Sequence, residues 1–228
     1  MKQLLTDFIR LLFPHVCLLC GNRLCESEKH VCLNCLFDLP LTNLHRVPDN
    51  RMEQLFWGQA RIDHATALYY FEKGNHVQQL LHQIKYKGNR ELAVELGRIL
   101  GEEIKDSPVA QVDCIVPIPL HPRRQKSRGY NQSQLIAEGL AAVLNLPIEN
   151  QVLWRTRFND TQTHKNAFER WRNSESLFCV SNGSALEGKR VLIVDDVVTT
   201  GSTFVAAAKA LIQITNIQLN CATVALAV

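Results

Sequence analysis

No stretch of this chain is long and apolar enough to span a bilayer as a helix, which excludes a helical membrane protein. There is no internal repeat and no low-complexity tract, so a solenoid or a compositionally biased linker is excluded too. A strong excess of one charge is also missing. The formal net charge is +3, too small by itself to argue for nucleic-acid binding. The opening segment MKQLLTDFIRLLFP lacks the features of a secretory signal: Asp7 and Arg10 interrupt the apolar run, and no small-residue cleavage site follows. Leu4, Leu5, Phe8, Ile9 and Leu12 fall on one stripe, which predicts an amphipathic helix ending near Pro14 and packing on its own protein. A cytoplasmic protein is expected. At 228 residues, 46% hydrophobic and 21% charged, the chain has room for one α/β domain and a small attached module.

Cysteine, by contrast, is plentiful. Of eight cysteines, five lie within Cys17–Cys35. Cys17-Leu18-Leu19-Cys20-Gly21 and Cys32-Leu33-Asn34-Cys35 are two Cys-x-x-Cys pairs separated by eleven residues. That spacing suits tetrahedral zinc, with Cys17, Cys20, Cys32 and Cys35 as ligands and Gly21 allowing the tight turn. Cys25 reads as a bystander, although Cys25, His15 or His30 could replace one ligand. Two disulfides are the rival reading, disfavoured in a cytoplasmic chain. So short a segment cannot bury a core, and metal binding would supply its folding free energy, about 10–16 kcal/mol for such sites. A site with four thiolates leaves no open position, so the metal is structural and the module is a scaffold or contact surface.

The most informative stretch is Val191–Thr203, VLIVDDVVTTGST. Val191–Val194 predicts a short buried parallel strand, with Asp195 and Asp196 where it ends. Thr199, Thr200, Gly201, Ser202 and Thr203 then lead into an apolar-periodic helix over Phe204–Ile214. A loop that enters a helix N-terminus offers free N–H groups and the positive end of the dipole, which suits a phosphate. Gly201 permits close approach of the backbone, and the hydroxyls add donors. The loop has no lysine and so is not a Walker-type nucleotide loop. Two carboxylates repel phosphate; they suit ribose hydroxyls, or a Mg²⁺ ion beside the phosphate. Phosphoribosyl pyrophosphate (PRPP) carries all of these groups. The alternative is an ordinary strand–turn–helix with a capping threonine.

Upstream, His64–Phe71 reads as a strand, Asn75 caps a helix over Val77–Ile84, and Asn89 caps another from Arg90 to about Lys105. Val112–Ile118 is a strand running into Pro117-Ile118-Pro119. A basic loop follows, His121–Gln132, with Arg123, Arg124, Lys126 and Arg128 within six residues. A bound diphosphate would favour its closure through charge-assisted hydrogen bonds. A merely solvated loop, or a nucleic-acid contact with Tyr130 stacking on a base, are the other readings. Ser133–Leu144 and His164–Arg172 read as helices, Ser176–Val180 and Ile217–Val228 as strands.

The stretch Val191–Thr203 resembles the PRPP motif of the type I phosphoribosyltransferases at all thirteen positions. The resemblance narrows with Pro117-Ile118-Pro119, Arg123, Arg128-Gly129-Tyr130-Asn131-Gln132-Ser133, Arg155-Thr156-Arg157, Thr161-Gln162-Thr163, Asn166-Ala167-Phe168 and the cysteine pairs. Together these resemble the ComF/GntX family of competence-associated proteins over nearly the whole chain. Tyr130 stands where that family often has Phe, a mild departure. The resemblance implies a type I phosphoribosyltransferase fold: α/β, a mostly parallel sheet flanked by helices, with a small zinc-ribbon-like module at the front. It also implies a role in DNA uptake during natural transformation.

The expected division is residues 1–40 for the amphipathic helix and zinc module, 41–63 for a connection, and 64–228 for the main domain. Strand carboxyl ends gather the site in such sheets. Asp195 and Asp196 would hold ribose hydroxyls and favour a cationic sugar, while Arg123, Arg128 and Mg²⁺ would balance the leaving diphosphate. Thr199–Thr203 would anchor the 5′-phosphate, with Pro117 at the neighbouring strand end. Three classes of function follow: a phosphoribosyltransferase acting on an unidentified acceptor, a non-catalytic sensor of PRPP or a nucleotide, and a protein that handles single-stranded DNA with DNA-uptake partners.

Overall fold

A computed structural model describes residues 15–155 and 177–228. The predicted helix before Pro14, the predicted helix His164–Arg172, and the motif residues Thr156, Arg157, Thr161–Thr163 and Asn166–Phe168 lie outside the described residues.

Four parallel strands form the sheet in the order β1-β6-β5-β2. They are β1 (His64–Phe71), β2 (Cys114–Pro117), β5 (Arg190–Val198) and β6 (Gln218–Ala227). All four are buried along most of their length, as expected of a parallel sheet covered on both faces. One face is covered by α3 (His76–Tyr86), α4 (Arg90–Ile104) and α6 (Gln132–Leu144), through Leu80, Ile84, Leu96, Leu100, Ile136 and Leu140. The other is covered by α7 (Ser202–Leu211) and by an antiparallel pair, β3 (Leu153–Arg155) with β4 (Phe178–Val180). Asn75 and Asn89 cap α3 and α4 as predicted, each accepting an N–H with its side chain. Among the described residues no helix is long and apolar enough to cross a membrane.

Residues 41–63 carry a 3₁₀ turn (Leu44–Arg46) and a short helix, α2 (Arg51–Gln54). Asn50 and Glu53 form a reciprocal capping box, a signal in the Asn-x-x-Glu spacing that the weak hydrophobic patterning hid. Leu44, Met52 and Phe56 bury against the same sheet face as α7.

Two local expectations need correction. First, the strand does not end at Val194; β5 runs on to Val198, so both aspartates lie inside it. Their poor strand propensity is overridden by partners that helices bring to their carboxylates. Second, the basic segment is not an open loop. Pro122–Arg128 is a helix, α5, with Pro122 at its start, His121 Nδ1 accepting the Arg123 N–H at 3.2 Å, and Gly129 at φ 79° as its C-cap. Arginine, lysine and glutamine are good helix formers, and the turn fans their charges into solvent.

The N-terminal module has α1 (Leu33–Phe37) and one short antiparallel bridge, Val16 to Arg23. Leu18, Leu19, Val31 and Leu36 pack towards the sheet face that carries α4. One ion pair, Lys29–Glu95 at 3.9 Å, spans this docking, and His30 Nε2 lies 3.9 Å from Glu91 although burial lowers the imidazole's pKa.

Candidate functional site

The site grows from the carboxyl ends of β2 and β5. Pro117 pairs with Val194 in register, and the Ile118 N–H donates to the Val194 carbonyl at 2.9 Å. Prolines 117 and 119 stop the strand here, because neither can donate to the ladder. Asn131 then ties the start of α6 to this end. Its Nδ2 donates to the Ile118 carbonyl at 3.0 Å, and its Oδ1 accepts the Ser133 N–H at 3.1 Å. Ser133 Oγ, so placed, donates to Asp195 Oδ1 at 2.7 Å.

The two adjacent carboxylates have different surroundings. Asp195 Oδ1 also accepts the Asp196 N–H at 2.9 Å. Burial, and then the neighbouring negative charge of Asp196, push the Asp195 carboxyl up to about 7, against the opposing pull of Ser133, the Asp196 N–H and Lys85. Asp196 is only 3% exposed. Its Oδ1 meets Lys85 Nζ at 3.1 Å, while its Oδ2 is buried without a hydrogen-bond partner. An orphaned, hard carboxylate oxygen beside a second carboxylate is the donor chemistry that fits a ribose hydroxyl or Mg²⁺.

After β5, Thr199 and Thr200 are exposed and lead to Gly201, whose φ is 76°. A Cβ there would lie 3.0 Å from the Phe56 ring, so packing as well as φ restricts the position to glycine. Thr200 Oγ1 lies 3.2 Å from Ser202 Oγ and accepts the Ser202 N–H at 3.5 Å. Gly201 at the N-cap has no side chain, so beyond the long Thr200 contact to the Ser202 N–H the first turn of α7 is left for an external anion. Phe204 fixes the helix from below, edge-on to Phe56 at 6.0 Å.

Lys85 and Ser133 are absent from the predicted site set. Sequence offers only faint signals for them: a lysine in the last turn of α3, and a serine two places after a capping asparagine. Arg155 adds a third contributor. Burial lowers its pKa, followed by the nearby charge of Arg124, while Asp195 opposes both, which places all three within electrostatic reach. Of the predicted cations, Arg123 is exposed. Arg128 is turned towards α6 and α3: it donates to Gln132 Oε1 at 2.5 Å and covers the Tyr86 ring at 5.6 Å. Tyr130 is not free to stack on a base. It is 9% exposed, its hydroxyl donates to the Ile84 carbonyl, and Arg90 covers its ring at 4.9 Å.

In the front module the sulfurs of Cys17, Cys20, Cys32 and Cys35 all lie within 4.8 Å of one another. Cys20 and Cys32 Sγ are 3.7 Å apart. Tetrahedral zinc with Zn–S near 2.3 Å requires about 3.8 Å between sulfurs, whereas a disulfide requires about 2.05 Å. Burial raises the Cys17 thiol, but N–H groups of Cys20, Cys32 and Leu19 outweigh it and hold the thiol at about 6, favouring the thiolate. All eight cysteines are free, which removes the disulfide alternative. The four sulfurs are compatible with a structural zinc; Cys25 and the histidines stand outside the cluster.

The phosphoribosyl transferase domain family matches residues 131–227, the segment from Asn131 through the acid pair to β6. The DNA utilization protein YhgH of Salmonella typhi is 37% identical over 138 residues, a match covering 59% of this chain and 60% of that protein. The chain therefore aligns with less than two thirds of the length of that relative. The protein of the same name from Escherichia coli (strain K12) is 32% identical over 206 residues, covering 87% of this chain and 84% of that protein. Competence protein ComFC of Bacillus subtilis (strain 168) is 28% identical over 199 residues, covering 87% of this chain and 72% of that protein. On the strength of these matches and the site they include, the chain belongs to the ComF/GntX family of competence-associated proteins, with an α/β domain of the phosphoribosyltransferase type.

Proposed function

We propose that the protein binds PRPP, or a closely related phosphorylated sugar, with Mg²⁺, and serves DNA uptake in natural transformation. The observation that carries the binding reading is the acid pair: two adjacent carboxylates, one buried with an orphaned oxygen, followed in the chain by an uncapped helix N-terminus. Asp195 and Asp196 hold the ribose hydroxyls. Thr199–Thr203 and the first N–H groups of α7 hold the 5′-phosphate. Pro117 ends the adjacent strand and leaves room for the diphosphate. Mg²⁺, when bound, supplies positive charge to the diphosphate oxygens.

If turnover occurs, the C1–O bond to diphosphate breaks and the sugar gains cationic character. The carboxylates at the ribose favour that charge, and Arg123 and Arg128 on α5 balance the departing diphosphate. For Arg128 this requires leaving the Tyr86 ring. The retained pocket without turnover, as a PRPP or nucleotide sensor, uses the same residues for binding alone. A metabolic transferase with an unidentified acceptor uses them in full. The names of the relatives favour the transformation role. In this reading the cysteine module is a zinc-bound contact surface, and residues 41–63 connect it to the domain from 64 onward.

A second reading has its own observation. Arg123, Arg124 and Lys126 are exposed on α5 and form no ion pair among the described residues, which suits a single strand of DNA. The first experiment is calorimetry of Mg²⁺-PRPP binding to the wild type and to Asp195→Asn/Asp196→Asn. Binding by the wild type and its loss in the variant support the pocket. Equal affinity in both sinks the assigned role of the acids, and the absence of binding to a folded, zinc-loaded wild type sinks the ligand.

A further inference from the structure

Tyr86, 69% exposed, closes α3 next to a residue whose side chain goes inward to Asp196. The ring is held from its own helix by His82, at 4.9 Å and 41°, and from α5 by Arg128, at 5.6 Å. Near the start of α5 stands Trp154, 51% exposed. Its indole N–H donates to the Gln151 carbonyl at 2.7 Å and to Ser181 Oγ at 2.6 Å, so the ring is oriented even though it faces solvent. Trp154 shares a groove of about 740 Å³ with Pro122 and Gln125 of α5 and with Arg155. The exposed cations Arg123, Arg124 and Lys126 lie along α5 between Pro122, which lines the Trp154 groove, and Arg128, which covers Tyr86.

Oriented aromatic faces near the two ends of α5, with exposed cations along the helix, match the two recurring needs of a single strand. Bases take a π surface, and phosphates take the charge. A duplex hides the faces of its bases and could use only the ridge. We propose that α5 is the ridge of a single-stranded nucleic-acid site in which Tyr86 and Trp154 stack bases and Arg123, Arg124 and Lys126 contact the backbone. This rests on the single-stranded-DNA reading above, and it places the strand beside the acid pair, since Lys85 adjoins Tyr86.

The test is fluorescence anisotropy with a labelled oligothymidylate and the full zinc-loaded chain, over a salt series. Stacking contributes about 1–3 kcal/mol per base, so Tyr86→Ala and Trp154→Ala should each weaken binding about five-fold or more. Neither should change the slope of log affinity against log salt. Tyr86→Phe should retain most of the affinity. Arg123→Ala/Arg124→Ala/Lys126→Ala should flatten the slope by about 0.7 for each phosphate that is no longer neutralised. Far-UV circular dichroism and urea midpoints on the Tyr86→Ala and Trp154→Ala proteins should match the wild type and show that they fold. Wild-type affinity in both aromatic variants overturns the stacking site, as does equal competition by a duplex of the same length. A wild type that binds Mg²⁺-PRPP but not the oligonucleotide overturns this inference and leaves the pocket standing. The reverse result overturns the pocket alone.

Discussion

Lys85 Nζ lies 3.1 Å from Asp196 Oδ1, although the two are far apart in the chain, with 21% and 5% of the two side chains still accessible. Such a buried pair is held in place by its two members together, and removing one leaves the other without its partner. Lys85→Met should lower stability by about 3 kcal/mol and weaken Mg²⁺-PRPP binding. Adding Asp196→Asn to that variant should recover stability without recovering binding. Urea midpoints and calorimetry on the three proteins test this; an undisturbed midpoint in Lys85→Met would show that the pair does not stabilise the fold.

Asp195 gives the pocket a pH dependence of known sign. Its carboxyl is pushed from 3.8 up to about 7, by burial first and Asp196 second, so the folded state binds its proton more tightly than the unfolded chain does. The stabilising contribution is fully present below the unfolded value and is lost as pH rises through about 7. Ligand binding runs the other way, because ribose hydroxyls and Mg²⁺ need the ionised acid. Mg²⁺-PRPP affinity should therefore be higher at about pH 8 than at about pH 6. Asp195→Asn should remove this residue's share of the pH slope of stability, read from urea midpoints across that range.

Helices α4 and α6 touch backbone to backbone at two glycines. A Cβ on Gly139 would sit 2.0 Å from the Val94 carbonyl oxygen, and one on Gly97 would sit 2.1 Å from that of Ile136. Gly139→Ala must push α6 outward, and with it Asn131 and Ser133. The expected loss is at or above the upper end of ordinary overpacking, about 3 kcal/mol, with weaker Mg²⁺-PRPP binding. A melting temperature equal to wild type would contradict the packing.

The four sulfurs of the front module should hold one zinc per chain. Atomic absorption on protein purified with its thiols reduced should find that ratio, and Cys32→Ser should lose most of the metal while Cys25→Ser keeps it. Chelation should expose the module to protease, because so short a segment buries little core of its own. A chain that purifies folded and without zinc would sink the assignment.

Much of this is legible in one dimension. Asn75 and Asn89 announce α3 and α4 because a cap is a contact over three residues. The cysteine pairs announce their cluster because a chelate needs short spacing. The features that sequence hides share the opposite property. Ser133 meets Asp195 from 62 residues away, and no local pattern encodes that distance. The basic segment reads as a loop because like charges repel. Its helix depends on a proline, a histidine cap and a terminal glycine, whose joint effect outweighs the repulsion. Tyr130 lies among arginines in the sequence and so reads as open to a nucleic-acid base, yet Arg90 and the Ile84 carbonyl claim it.

The sequence by itself determined the parallel α/β class, the thiol cluster and the acid pair before a hydroxyl- and glycine-rich turn. Each of these rests on neighbours in the chain, where spacing alone dictates geometry. Only the tertiary structure decided which acid is paired with a cation, which keeps an orphaned oxygen, and which aromatics face solvent. Those outcomes depend on burial and on charges that the packing of α3, α5 and α6 brings together, and in water, without that packing, the two aspartates would be alike.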